Sequence, residues 1–185
     1  MESLIGLMPP HGGSGDVVDW DSVEQTLDVS LPSDFRDFVA VYGAGSIDDR
    51  VEIASLQAGE SDRADIPTMT LRASGERWIE ETGSDYPRFP AQGSLIGWGR
   101  LKSYGLAYGY LYWRSAGPDP DRWPVVVWKH GGEGFVEHPY GMAEFLVRIL
   151  QEAGSLDLDQ RDVTARLFRC GGRLLGWGVV DGLGV

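Results

Sequence analysis

The side chains best suited to chemistry are His130 and His138 beside Glu133 and Glu137, the lone Cys170 among Arg166, Arg169 and Arg173, and a dense run of carboxylates over residues 16–65. A histidine acting as a base needs an activated Ser or Cys within reach. His130-Gly131-Gly132 has a superficial look of an oxyanion-binding segment, but the sequence has no Gly-x-Ser-x-Gly elbow, and the segment reads as a Gly-rich hairpin turn. The His and Glu spacing matches no strong zinc signature, and adjacent Glu137 and His138 would point to opposite faces of a strand. Cations lower a thiol pKa, yet Cys170 has no identifiable base and reads as a buried or incidental thiol. Gly43-Ala44-Gly45 lacks a third glycine and follows a helix, where a dinucleotide fingerprint follows a strand. Paired carboxylates abound, but acid catalysis needs a shifted pKa that spacing cannot supply. No catalytic residue, metal or cofactor is therefore expected.

The elements that must position these groups follow from periodicity. Asp21 and Glu24 have capping-box spacing, and Trp20, Val23 and Leu27 recur on one helical face. Pro32 suits a first helical turn; Phe35, Phe38, Val39 and Tyr42 follow at i, i+3, i+4, i+7, and Gly43 and Gly45 close the helix. Val51 to Ser55 alternates like a strand, while Ser61 to Tyr86 is mixed and permits a helix through Met69, Arg72, Glu76 and Ile79. Leu95–Leu101, Gly105–Trp113, Val125–Lys129 and Phe135–His138 read as strands between turn signals. In Gly105–Trp113 both faces are apolar, which places that strand inside a sheet. Met142, Phe145, Leu146 and Ile149 form a helical stripe. In the tail, Val163–Cys170 is compatible with a helix and Leu174–Val180 with a strand. The expected class is α+β: N-terminal helices, a mainly antiparallel central sheet of about five to six strands, a C-terminal helix and a tail.

The 185 residues carry 16 Lys+Arg against 28 Asp+Glu, a net charge of −12. Residues 16–65 hold 13 acids and three arginines, a net of −10; residues 66–185 hold 14 acids and 13 bases. This balance argues against nucleic acid and anionic membrane as partners, because both need cations at the contact. One cysteine permits no intrachain disulfide, and Met1–Gly15 offers Glu2 where a signal peptide wants positive charge. A cytoplasmic protein is expected, with residues 1–16 as a flexible leader and 17–185 as one domain.

Several ordered segments resemble one family. Trp20-Asp21-Ser22-Val23-Glu24, Leu31-Pro32-Ser33-Asp34-Phe35-Arg36-Asp37-Phe38 and Tyr42-Gly43-Ala44-Gly45-Ser46-Ile47 are similar to the opening of SUKH superfamily members. Gly97-Trp98-Gly99, the aromatic strand to Trp113, the segment Asp119 to Val127 and Glu144-Phe145-Leu146 follow in the family's usual order, so that the likeness spans roughly 17–153. The resemblance implies an α+β fold without catalytic residues and a non-enzymatic immunity role: binding a cognate polymorphic toxin. A fungal branch, associated with control of cell-wall synthesis, makes a protein-binding scaffold or regulatory module the alternative. An acidic inhibitor suits the cationic cleft of a basic, nuclease-type toxin, and tight inhibition needs desolvated aromatic anchors. The candidate contact charges are Asp48, Asp49, Glu52, Glu60, Asp62 and Asp65, with Asp119 and Asp121 in a second loop; the candidate anchors are Trp113 and Trp123.

Overall fold

A computed structural model describes residues 1–10, 14–48, 50–54, 84–102, 108–132 and 134–151, with 103, 106–107, 167–170 and 173–176 as backbone alone. Residues 61–83 of the mixed segment, with Met69, Arg72, Glu76 and Ile79, and the acids Asp49, Glu60, Asp62 and Asp65 lie outside the described residues.

The chain opens with α1 (Glu2–Leu7), where a flexible leader was expected. Leu4 and Met8, one helical turn apart, are fully buried, and α1 packs on the C-terminal helix. Burial of these two side chains outweighs the chain-breaking effect of Pro9 and Pro10, which act only beyond the helix. Helix α2 (Trp20–Leu27) has its N-cap two residues before the one the capping-box spacing implied: Asp19 is the N-cap and its carboxylate accepts from the Ser22 amide at 3.2 Å. Glu24, released from that role, accepts from the Leu31 amide at 2.8 Å and pairs with Arg36, whose guanidinium also lies over the Trp20 ring. Helix α3 (Ser33–Tyr42) buries Phe35, Phe38, Val39 and Tyr42, the four residues its periodicity selects, and stops at Gly43 with φ +76°.

Among the described residues eight antiparallel strands form one sheet: β1 (Gly45–Ile47), β2 (Val51–Ile53), β3 (Leu95–Ser103), β4 (Leu106–Arg114), β5 (Val125–Lys129), β6 (Phe135–His138), β7 (Leu167–Cys170) and β8 (Arg173–Gly176). Their order is β6-β5-β4-β3-β2-β1-β7-β8. The six strands preceding the C-terminal helix match the expected sheet. The tail adds two more at the β1 edge, so residues 167–170 are strand where a helix was compatible with the sequence. Pairing with Gly45–Ile47 overrides the weak helical preference of that stretch. Helix α4 (Met142–Gln151) buries Met142, Phe145, Leu146 and Ile149 as its stripe requires.

Both faces of the sheet centre are apolar. Leu111, Trp113, Val125 and Val127 face the helices and join the principal core with Phe35, Trp98 and Phe145. Tyr110, Tyr112, Val126 and Leu95 form a smaller core on the other face, with Tyr86, Trp128 and Phe135 packed against it. No helix among the described residues is long and apolar enough to cross a membrane.

Candidate partner-binding surface

Most of the described acids are held by the fold's own backbone or cations. The α3 N-terminus begins at a proline that offers no side-chain cap, leaving orphan amides. Asp121, 88 residues away in the 3-10 turn Pro120–Arg122, supplies the missing acceptor to the Ser33 amide at 2.6 Å. Asp119 caps that 3-10 turn by accepting from the Asp121 amide at 3.2 Å. Asp34 reaches from the first turn of α3 to the first turn of α4, accepting from the Ala143 amide at 2.9 Å. Burial raises the Asp34 pKa above the usual carboxylate range; its backbone hydrogen bonds oppose that rise and the nearby charge of Asp121 adds to it. Asp121 and Asp34 thus meet the N-terminal ends of α3 and α4, where the helix dipoles favour negative charge, and Asp119 caps the adjoining 3-10 turn. Asp119 and Asp121 remain exposed.

The other predicted group sits in the β1–β2 hairpin. Asp48 occupies its tip with φ +51°, a conformation that aspartate tolerates better than most residues. Glu52 lies on the sheet face opposite Val51 and Ile53, bound to Arg100 at 2.7 Å and to Lys102 at 3.1 Å. With its side chain only 12 % exposed and two cations beside it, Glu52 projects no net negative field.

The two tryptophans are core residues. Trp113 is 0 % exposed, 5.8 Å from the Trp98 ring and edge-on to Phe35 at 5.0 Å. Trp123 is 4 % exposed, and its indole N–H donates to the Gly117 carbonyl at 2.7 Å, fixing the β4–β5 connection. Neither ring lies on a surface that a partner reaches, which corrects their place as anchors: the alternation of β4 turns Trp113 toward the helices.

The chemistry-bearing histidines do not converge on a nucleophile among the described residues. His130 is exposed at the β5–β6 turn, its ring 6.1 Å from Trp128. His138 shares a 3.1 Å hydrogen bond with the Tyr140 hydroxyl, and burial, with Lys129 nearby, lowers its pKa. Among the described residues no three His, Cys, Asp or Glu side chains gather as metal ligands. Sequence reasoning did not anticipate the long-range capping by Asp34 and Asp121. The proline at the head of α3 was the available signal, since it left an amide needing an acceptor.

The helices-sheet-helix order and the acid-capped helix ends define an α+β protein whose described polar groups serve mainly its architecture. A family model described as SMI1-KNR4 cell-wall, within the SUKH group, matches residues 18–146, from the start of α2 into α4. The chain belongs to the SUKH superfamily. No curated protein and no solved structure matches it.

Proposed function

We propose that this chain is a non-enzymatic, cytoplasmic immunity protein that binds a cognate polymorphic toxin and neutralises it by covering the active site. Membership of the SUKH superfamily is the observation that carries the reading. The charge supports a basic, nuclease-type toxin: a net −12 protein steers toward a cationic cleft and competes there with nucleic acid. The contact acids in this reading are Asp119 and Asp121, exposed at the helix ends, together with the Asp48-Asp49 turn and Glu60, Asp62 and Asp65. Glu52 is omitted because its cations neutralise it, and the tryptophans because they are interior.

Coexpression with the toxin encoded beside its gene tests the proposal. Restored growth and a stoichiometric complex are expected. Failure of any neighbouring toxin to be bound or neutralised overturns it. The family description favours a second reading, a scaffold or regulatory module of the cell-wall type. That reading predicts capture of a nontoxic cellular protein in the same experiment.

A further inference from the structure

Among the described residues strand β6 is one of the two outer strands of the sheet, and it carries Val136, 43 % exposed. Its backbone directions can be assigned from its neighbours. Pro124 accepts from the Arg114 amide at 3.1 Å and His130 donates to Tyr108 at 2.7 Å, so the even residues of β5 face β4. The odd residues therefore face β6, and Val127, opposite Val136, exchanges bonds with it. The amides and carbonyls of Phe135 and Glu137 then point away from the sheet, with no strand beyond them among the described residues. Unlike the β3–β4 pair, the β5–β6 pair has no register shift that would twist this edge away. It contains no proline and no lysine, two usual defences against strand addition.

We propose that two copies of this chain associate through β6, antiparallel about a two-fold axis, extending the sheet across the dimer. The register follows from the residues. Pairing Phe135 with Glu137 of the second copy satisfies the outward amides and carbonyls on both sides. It also places the two exposed Val136 side chains directly opposite in a non-hydrogen-bonded pair, where Cα atoms approach to about 4.5 Å. The alternative centred on Glu137 sets two carboxylates face to face and is disfavoured. Local charge permits self-contact: Glu137 is held bidentately by Arg114 at 2.6 and 2.8 Å, and Glu144 by Arg148. The edge lies in the charge-balanced two thirds of the chain and leaves the acidic helix ends available. A four-residue edge buries less than a standard interface, so the dimer is weak and concentration-dependent.

Sedimentation velocity on the full chain from about 10 μM to about 1 mM, the range where weak interfaces populate, provides the test. The mass is expected to rise toward twice 20.3 kDa, and added salt to strengthen association by screening two like-charged chains. Val136→Lys, at an exposed position, should stay monomeric with an unchanged near-ultraviolet spectrum. Hydrogen exchange on the unsubstituted protein supplies an independent reading: the Phe135 and Glu137 amides gain protection with concentration, while Val136, already bonded to β5, does not change. A protein monomeric throughout overturns the proposal, as does a dimer that Val136→Lys leaves intact. Protection of Phe135 and Glu137 that appears only with a toxin present also overturns it, by assigning the edge to a foreign strand. None of these outcomes bears on whether a toxin is neutralised.

Discussion

The Asp34 carboxylate in α3 accepts from the Ala143 amide in α4 at 2.9 Å, joining two helix starts separated by 109 residues of sequence. Gly141 makes room for that approach: a Cβ there would stand 2.7 Å from Asp34 Oδ2. Asp34→Ala is expected to lower stability by about 1–2 kcal/mol, the cost of a lost helix cap. Gly141→Ala should act through the same bond by displacing the carboxylate. The double variant then loses less than the sum, since no carboxylate is left to displace. Denaturant unfolding of the four proteins measures this, and strictly additive losses would refute the coupling.

Tyr42 ties α1 to α3 by donating to the Met8 carbonyl at 2.5 Å. Burial pushes its pKa from 10 up to about 12. Between those values the folded protein keeps a proton that the unfolded chain has released, so stability present below pH 10 is lost as pH rises toward 12. Tyr42→Phe should cost about 1 kcal/mol at neutral pH through the lost hydrogen bond. It should also flatten the alkaline decline, leaving a residual slope from Tyr112, whose pKa burial also raises. Unfolding curves from pH 8 to 12 decide the matter; an unchanged slope would remove Tyr42 from it.

Glu52 separates two cations on the sheet. Replacing it with Gln leaves Arg100 and Lys102 facing one another with little water. We expect Glu52→Gln to cost about 2 kcal/mol, less than a fully buried pair because each partner keeps some solvent. Adding Lys102→Met should recover part of that loss by removing one of the stranded charges. No recovery, measured as a shift in the denaturation midpoint, would show that the loss came from packing rather than charge.

Legibility in the sequence followed the range of the interaction. Phe35, Phe38, Val39 and Tyr42 show their burial through local spacing, and the alternation of β4 marks a strand with two apolar faces, so α3 and the central sheet were readable. Leu4 and Met8 are a single apolar pair beside two prolines, too short a pattern to display a helix that forms by docking on α4. Strand β7 depends on pairing with Gly45–Ile47, more than 100 residues away, and β8 joins the sheet through β7. The acids were the least readable. Asp121 and Asp119 look alike in sequence, yet one caps α3 across 88 residues and the other caps only its own turn.

The partner reading makes a kinetic prediction at that acidic corner. Asparagine keeps a side-chain oxygen, so Asp119→Asn with Asp121→Asn preserves both caps while removing two charges. Stability should change by no more than about 0.5 kcal/mol, as expected where the caps survive. Toxin association should slow several-fold at low salt, with dissociation nearly unchanged, because exposed charges act on encounter more than on the docked complex. The difference should shrink as salt shortens the reach of the field. Surface-binding kinetics at two ionic strengths separate the cases. An association rate indifferent to both substitutions would turn the α3 and α4 helix ends away from the toxin and leave steering to the acids of the first third.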